Sequence, residues 1–145
     1  MTPPTPTPAA NLAVVLDVLA FASDFVRFCG VLTGYAESDF RSDAVQRETV
    51  GVFQQNPRWW PSATQGTRAQ AVAWLNAFRG HMAAGRITER TDPVLACWIV
   101  QRWKVPNEGK TWPDPGPGFT EGPETVNYSR RVDRVRWIIE NRRLP

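Results

Sequence analysis

Residues 24–40 read DFVRFCGVLTGYAESDF, an apolar run with an acid near its end. Its apolar residues recur every three or four positions, at Phe25, Phe28, Cys29, Leu32, Tyr35 and Ala36. This spacing places side chains on one face of an α-helix, and Ser23 or Asp24 is a candidate N-cap. The stretch therefore predicts a helix that packs into a core and carries Glu37 near its C-terminal end.

Four other segments show helix signals of the same kind. Apolar runs at helical spacing follow Asn11, Thr67, Asp92 and Pro123. Asn11 and Asp92 are candidate N-caps, and Thr67 with Gln70 predicts a capping box. The run after Asn11 is either a separate helix or the first part of one bent helix that continues through residue 36. Because no strong strand pair is visible, we expect a mainly α domain.

Proline-rich segments bound and interrupt these runs. Residues 1–10 alternate Thr with Pro and predict an extended linker or tail. Residues 11–145 are then expected to form one domain. Residues 106–123 hold five of the thirteen Pro and four of the ten Gly, which predicts a long irregular loop.

Composition excludes several classes of protein. The chain has 145 residues, of which 42% are hydrophobic. This is enough to bury a core without disulfide bonds or structural metal ions. No apolar run reaches the roughly 18 residues of a membrane span. The net charge of +3 is too small to require nucleic acid, and His81 is the only histidine. We therefore expect no metal and no cofactor. Cys29 and Cys97 permit one disulfide or two buried thiols.

Glu37 is the first candidate for chemistry. It follows Tyr35 and Ala36 and precedes Phe40. Burial of a carboxyl among apolar groups raises its pKa, and a protonated glutamate can serve as a general acid near neutral pH. The alternative is a solvated acid at a helix end.

Glu37-Ser38 followed by Gly51-Val52-Phe53-Gln54 resembles the lysozyme-like lytic transglycosylase family. In that family a catalytic Glu-Ser pair precedes a motif of the Gly-Leu-Phe-Gln type. Residues 47–55 are similar to the variant of actinobacteria and their phages, with Glu48-Thr49 where that variant has Asp-Ser. Residues 124–132 are similar to the family's Glu-Thr-x-x-Tyr-x-x-x-Val segment. Residues 96–102 depart from the family's Ala-Tyr-Asn-Ala-Gly motif. The resemblance covers about residues 20–140.

The resemblance implies a lysozyme-like helical domain with a long irregular active-site loop. It implies a peptidoglycan lytic transglycosylase or muramidase that cleaves the N-acetylmuramic acid–N-acetylglucosamine β-1,4 bond. Glu37 would act as general acid and then as base, so that the muramic acid C6 hydroxyl closes a 1,6-anhydro ring. Glu48 is the best candidate for a second catalytic carboxylate, ahead of Asp39 and Asp43. The alternative for Glu48 is a loop acid that pairs with Arg47 or caps backbone amides.

The resemblance, together with the exposed-looking Trp pair between two prolines, indicates residues that would bind the glycan. The candidates are Ser38, Phe53, Gln54, Trp59, Trp60, Gln101 and Tyr128. Gln54 would bind the N-acetyl group or orient Glu37, unless it is a buried amide that holds its loop. Tyr128 would donate to Glu37 or to the acetamido group, unless it is a core residue. Phe53 packs under the site, and Gln101 takes the place of the family's Asn. Trp59 and Trp60, between two prolines, are the preferred stacking surface for sugar rings.

Three hypotheses follow for the whole protein. The first is a phage endolysin or virion lysin module that binds peptidoglycan strands, without nucleic acid, as a monomer or as part of a larger modular protein. With no signal-peptide pattern at its start, it would reach the wall through a holin or on the virion. The second is a lysozyme-fold glycan-binding or virion structural module without catalysis. A Glu37 that faces an open cleft favours the enzyme, and one paired with Arg41 or Arg47 favours the binder. The third, a nucleic-acid-binding protein, rests on the Arg-rich C-terminal stretch.

Overall fold

Residues 3–102 and 126–145 are described by a computed structural model of the chain. The helices are α1 (Pro8–Val18), α2 (Asp24–Ser38), α3 (Thr67–Ala83), α4 (Pro93–Arg102), α5 (Val126–Ser129) and α6 (Val132–Asn141). Two short strands, β1 (Val45–Gln46) and β2 (Thr49–Val50), and a 3₁₀ helix (Pro61–Thr64) lie between α2 and α3. The prediction of a mainly α protein is confirmed. The loop predicted over residues 106–123 lies outside the described residues.

Helix α2 forms the centre of the molecule and packs against α1, α3, α4, α5 and α6. Its residues from Cys29 to Ala36 are all buried. The close approach of its neighbours explains Gly30, because a Cβ there would lie 2.3 Å from a Leu19 methyl group and 3.2 Å from the Trp74 ring. The apolar run that predicted a helix is therefore the core element on which the other helices assemble.

The N-terminal helix begins earlier than the sequence predicts. Its N-cap is Thr7, whose hydroxyl accepts from the amide of Ala10 at 3.1 Å, so part of the expected linker is helical. Pro8 suits the first helical position because its missing N–H has no partner there. Asn11, predicted as the cap, is instead buried, and its side chain donates to the Phe40 carbonyl at 2.9 Å. Helices α1 and α2 are separate elements rather than one bent helix.

Two further helix boundaries differ from the sequence prediction, and one agrees. The prediction of a capping box at Thr67 is wrong. Gly66 is the N-cap, and the Gln70 side chain donates to the Ala63 carbonyl in the preceding turn. The C-terminal helix is two helices, α5 and α6, that end and begin on either side of Arg130-Arg131. Asp92 is confirmed as a cap, since its Oδ1 accepts from the amide of Val94 at 2.8 Å.

The strand pair is a feature that the sequence pattern did not show. Strands β1 and β2 pair antiparallel, with Val45 opposite Val50, and the turn between them holds Arg47 and Glu48. Strands of two residues are too short to show the alternation that identifies a strand. Arg47 adopts a left-handed φ of 55° at this turn.

The two cysteines are free thiols in the core. The Cys97 thiol donates to the Cys29 carbonyl at 3.3 Å, and both residues are fully buried. Burial, and next the neighbouring Cys97, raise the pKa of the Cys29 thiol well above its ordinary value. Within residues 3–102 and 126–145, no helix is long and apolar enough to cross a membrane.

Candidate active site

Glu37 lies in the last turn of α2 and is half-buried. The helix ends just beyond it because Asp39 and Phe40 take left-handed φ angles of 52° and 60°. Phe40 is fully buried and stacks on Tyr35 with ring centroids 6.3 Å apart. Burial of Phe40 therefore turns the chain and leaves Glu37 at the edge of the core.

Glu37 opens into a cavity of about 600 Å³. The cavity is lined by Glu37, Gln46, Arg47, Glu48, Thr49, Gln54, Asn56, Trp98, Gln101 and Tyr128. The Tyr128 hydroxyl donates to Glu37 Oε1. On the opposite side Glu48 is exposed at the hairpin turn, and its Oε2 accepts from Asn56 Nδ2 at 3.3 Å. The structure thus brings both predicted carboxylates to one cavity.

The cavity has two walls that are joined by Ser38. We call the ends of α2, α4 and α5 the helix wall, and residues 45–56 the hairpin wall. The Ser38 hydroxyl lies 2.7 Å from the Val52 carbonyl and 3.1 Å from the Gly34 carbonyl. Since it has one proton, its stronger bond is to the nearer oxygen on the hairpin wall. The predicted Glu-Ser pair therefore combines an acid in the cavity with a residue that ties the walls together.

A buried glutamine anchors the hairpin wall to α3. The Gln70 amide donates to the carbonyls of Val50 at 3.0 Å and Ala63 at 2.8 Å, and its oxygen accepts from the Phe53 amide at 2.9 Å. Gly51 has a φ of +80°, and a Cβ there would lie 2.2 Å from Gln70 Nε2. The glycine of the Gly-Val-Phe-Gln run is thus required both by the backbone angle and by the contact with Gln70.

Gln54 is bonded within its own loop. Its amide nitrogen donates to the carbonyls of Ala44 at 3.0 Å and Gly51 at 2.8 Å, and its oxygen accepts from the Thr49 hydroxyl at 2.8 Å. These contacts agree with a buried amide that holds the loop. Phe53 is fully buried and packs on Trp74 with ring centroids 5.8 Å apart. Phe53 is therefore a core residue that does not line the cavity.

Helix α4 supplies two lining residues of the helix wall. Gln101 donates to the Phe53 carbonyl at 2.8 Å. Trp98, one helical turn earlier, is half-buried and packs on the core while it lines the cavity. The sequence analysis did not include Trp98, Gln46, Arg47 or Asn56 among the candidate site residues. The spacing of three between Trp98 and Gln101 was the available signal, because it places both on one helix face.

Trp59 and Trp60 line a different cavity, of about 410 Å³, together with His81. Both Trp amides donate to the Asn56 carbonyl, at 2.9 and 2.8 Å, and this turn directs them toward α3. The structure therefore does not bring the predicted stacking pair together with Glu37. At His81, Arg86 Nε donates to Nδ1 at 2.8 Å. Burial, followed by the Arg86 charge, lowers the pKa of His81 from 6.5 to about 4.

A third cavity, of about 490 Å³, is also lined by Glu37. It shares Glu37, Gln46 and Gln54 with the first cavity and adds Ser38, Asp39, Arg41, Asp43, Ala44 and Val45. Arg41 Nε lies 3.4 Å from Asp43 Oδ1, so these two charges form an ion pair. Two cavities in the described part of the chain thus meet at Glu37, Gln46 and Gln54.

The arrangement is suited to proton transfer. Amide, hydroxyl and aromatic groups line the cavity with Glu37, together with the charged side chains of Arg47 and Glu48. Among the described residues, no three His, Cys, Asp or Glu side chains form a group that could hold a metal ion. Comparison of the chain with protein-family models, with curated proteins and with solved structures finds no match.

Proposed function

We propose that this chain is a peptidoglycan-cleaving glycosidase of the lysozyme-like lytic transglycosylase type, with Glu37 as general acid. The observation that carries the proposal is the placement of Glu37. It lies half-buried at the end of a core helix, faces a cavity of about 600 Å³, and contacts the Tyr128 hydroxyl. The contact supports the proposal, because the sequence resemblance implies a tyrosine at Tyr128 that donates to the catalytic glutamate.

The lining of the cavity supports a carbohydrate as substrate. Sugars bind through hydroxyl and acetamido groups and through the apolar faces of their rings. Trp98 offers an aromatic surface beside Glu37, while Gln101 and Asn56 offer amide groups. Two cavities meet at Glu37, which supports a substrate that extends beyond the cleaved bond.

The proposed reaction uses one protein carboxylate in two steps. Protonated Glu37 donates its proton to the glycosidic oxygen, and the bond from muramic acid C1 to that oxygen breaks through an oxocarbenium-like transition state. Glu37, now a carboxylate, accepts the proton of the C6 hydroxyl as that oxygen bonds to C1. The products are a 1,6-anhydro end and a free 4-hydroxyl end, and Glu37 is protonated again.

Glu48 is the residue on which the alternative outcome depends. An inverting hydrolase requires a base about 6.5–9.5 Å from the acid to hold the attacking water. Glu48 lines the same cavity from the opposite wall, bonded to Asn56. Reducing ends among the products would therefore assign Glu48 as base, whereas anhydro ends need no second carboxylate.

The test is digestion of purified cell walls followed by mass spectrometry of the fragments. The wild-type chain is compared with Glu37→Gln and with Glu140→Gln, a matched change at an exposed position on α6. We expect anhydro-muramic ends from the wild type and from Glu140→Gln, and none from Glu37→Gln. A control lysozyme must digest the same walls.

Absence of products from the wild-type chain on such walls would overturn the proposal. Sedimentation of the intact chain with the walls would then assign it as a glycan-binding module of the same fold. Products from Glu37→Gln at the wild-type rate would likewise remove Glu37 from the mechanism.

A further inference from the structure

The end of α2 beside Glu37 receives a hydrogen bond from a distant residue. The last carbonyls of a helix lack intrahelical partners. The amides of Asp39 and Phe40 bond to the carbonyls of Tyr35 and Gly34. The Ala36 carbonyl, adjacent to Glu37, instead accepts from Asn127 Nδ2 at 2.6 Å. Asn127 therefore joins α5 to the peptide that carries the acid.

Arg131 sets the orientation of the Asn127 amide. Its Nη1 donates to the Asn127 side-chain oxygen and, at 3.0 Å, to the Asn127 backbone carbonyl. Because a guanidinium only donates, the oxygen of the Asn127 amide must face Arg131 and the nitrogen must face Ala36. The guanidinium also lies 5.8 Å from the centre of the Tyr35 ring, so it is held between α2 and α5.

Helix α5 depends on these contacts for its position. It has four residues, and a helix that short is unstable without tertiary packing. Tyr128 follows Asn127 directly and is buried, with its hydroxyl donating to Glu37 Oε1. A tyrosine hydroxyl both donates and accepts. It can therefore hold Glu37 when the carboxyl is ionised and when it is protonated, provided that α5 does not move.

We infer that Asn127 and Arg131 are positioning residues that hold the Tyr128 hydroxyl on Glu37 through the proton-transfer cycle. The inference rests on the proposed function and deepens it. Neither residue lines the cavity, so neither is expected to contact the glycan. Loss of Asn127 should thus lower kcat more than it changes KM.

The test is a double-mutant cycle of Asn127→Ala and Tyr128→Phe, measured as release of soluble wall fragments. Two groups that act through one interaction show non-additive effects. We expect Tyr128→Phe to lower kcat by about 30-fold and Asn127→Ala by about tenfold, with KM changed less than about twofold. Both losses are smaller than the roughly 10²–10⁴-fold of general acid–base catalysis, because Glu37 itself is kept. The double variant should be no slower than Tyr128→Phe alone. Asn141→Ala, a matched change at the exposed end of α6, should match wild type.

An NMR measurement keeps the inference testable apart from wall cleavage, and a second variant keeps the cycle usable. The chain has two tyrosines, so a Tyr35→Phe sample assigns the Tyr128 ring carbons by NMR. Asn127→Ala should shift the Tyr128 Cζ resonance, and Asn141→Ala should not. If circular dichroism shows that Asn127→Ala is unfolded, Arg131→Ala takes its place in the double-mutant cycle. Arg131→Lys should then recover most of the activity.

The outcomes separate the two proposals. If the wild type releases no wall products, the proposed function is wrong. The Tyr128 resonance in Asn127→Ala then tests by itself whether Asn127 positions the tyrosine. An active wild type with additive losses in the cycle, or with an unchanged Tyr128 resonance in Asn127→Ala, overturns the positioning role. A loss of thermal stability with unchanged kcat would show that Asn127 acts only in the fold.

Discussion

The two walls of the Glu37 cavity are built by different forces. On the helix wall, Glu37 belongs to a helix of 15 residues whose apolar face is the core of the molecule. On the hairpin wall, Glu48 lies at the turn between two strands of two residues each, and side-chain amides hold the surrounding loop. Hydrophobic burial therefore places one carboxylate and hydrogen bonding places the other. The first position is insensitive to local change, and the second depends on a few groups.

The largest expected difference between the walls is in activity. Glu37→Gln should lower kcat/KM on cell walls by about 10³-fold, within the range for a general acid, because the amide cannot deliver the proton. Glu48→Gln should lower it by less than about tenfold if the ring-closing route needs one carboxylate. Rates of fragment release, with Glu140→Gln as control, check both. Equal losses from the two variants would contradict the single-carboxylate mechanism and support a hydrolase.

The next prediction concerns the anchor of the hairpin wall. Gly51→Ala forces a side chain into a φ of +80° and to within 2.2 Å of the Gln70 amide. The left-handed angle and the disrupted buried amide should together reduce the free energy of unfolding by about 3–5 kcal/mol. Gly66→Ala is the matched control, since its φ is +92° and no atom outside its chain neighbours lies within 4 Å. It should cost about 1–3 kcal/mol, because its φ of +92° with a ψ of 172° is a backbone region that essentially only glycine adopts. Urea denaturation measures both, and equal costs would show that the Gln70 contact is unimportant.

The third prediction concerns how the stability of the fold depends on pH. His81 reports on this apart from the catalytic site, because it does not line the Glu37 cavity. Its pKa is lowered from 6.5 to about 4, so the unfolded chain binds a proton more readily than the folded one. The neutral imidazole therefore contributes stability above pH 6.5, and this is lost as the pH falls toward 4. The loss should approach about 3 kcal/mol relative to His81→Gln.

Unfolding free energies of the wild type and His81→Gln at pH 7, 5.5 and 4 check this. The difference between the two proteins, rather than either curve alone, isolates the histidine from the carboxylates. A constant difference across the three values would show that His81 is not held neutral by the fold.

The smallest effect should come from the link between the walls. Ser38→Ala removes the hydroxyl that bonds to the Val52 carbonyl and should destabilise the fold by about 1–2 kcal/mol. Ser42→Ala is the matched control, because the Ser42 hydroxyl is buried and has no hydrogen-bond partner among the described residues. Its removal should change stability by less than about 0.5 kcal/mol. Thermal denaturation that ranks the two variants in the opposite order would remove Ser38 as the link.

The helix wall was the more predictable part of the molecule. The period of apolar residues in 24–40 is local information, and it placed Glu37 at the end of a buried helix. The cap at Asp92 was equally local. The start of α1 was predicted wrongly because Asn11 has the side chain of a good N-cap. In the structure that side chain instead donates to the Phe40 carbonyl, 29 residues along the chain.

The hairpin wall was less predictable because its contacts are not local. Gln70 reads as part of a capping box, yet it bonds to Val50 across 20 residues. Gln54 shows no sign in sequence that its own loop occupies its amide. The position of Trp59 and Trp60 depends on a turn at Asn56 that no pattern identifies. Helix content is confirmed, while the lysozyme-like fold stays a prediction.

The length of chain between the two partners of the Glu37–Tyr128 bond has a consequence for the order of assembly. Glu37 and Tyr128 are 91 residues apart, as are Ala36 and Asn127. Contacts across so long a separation form late, after the entropy of closing the intervening chain has been overcome. In a chain synthesised from its N-terminus, the acid and both strands would exist long before their partner on α5. We therefore expect the Glu37–Tyr128 contact to form after the local contacts of both walls, and it cannot form before residue 128 has been synthesised.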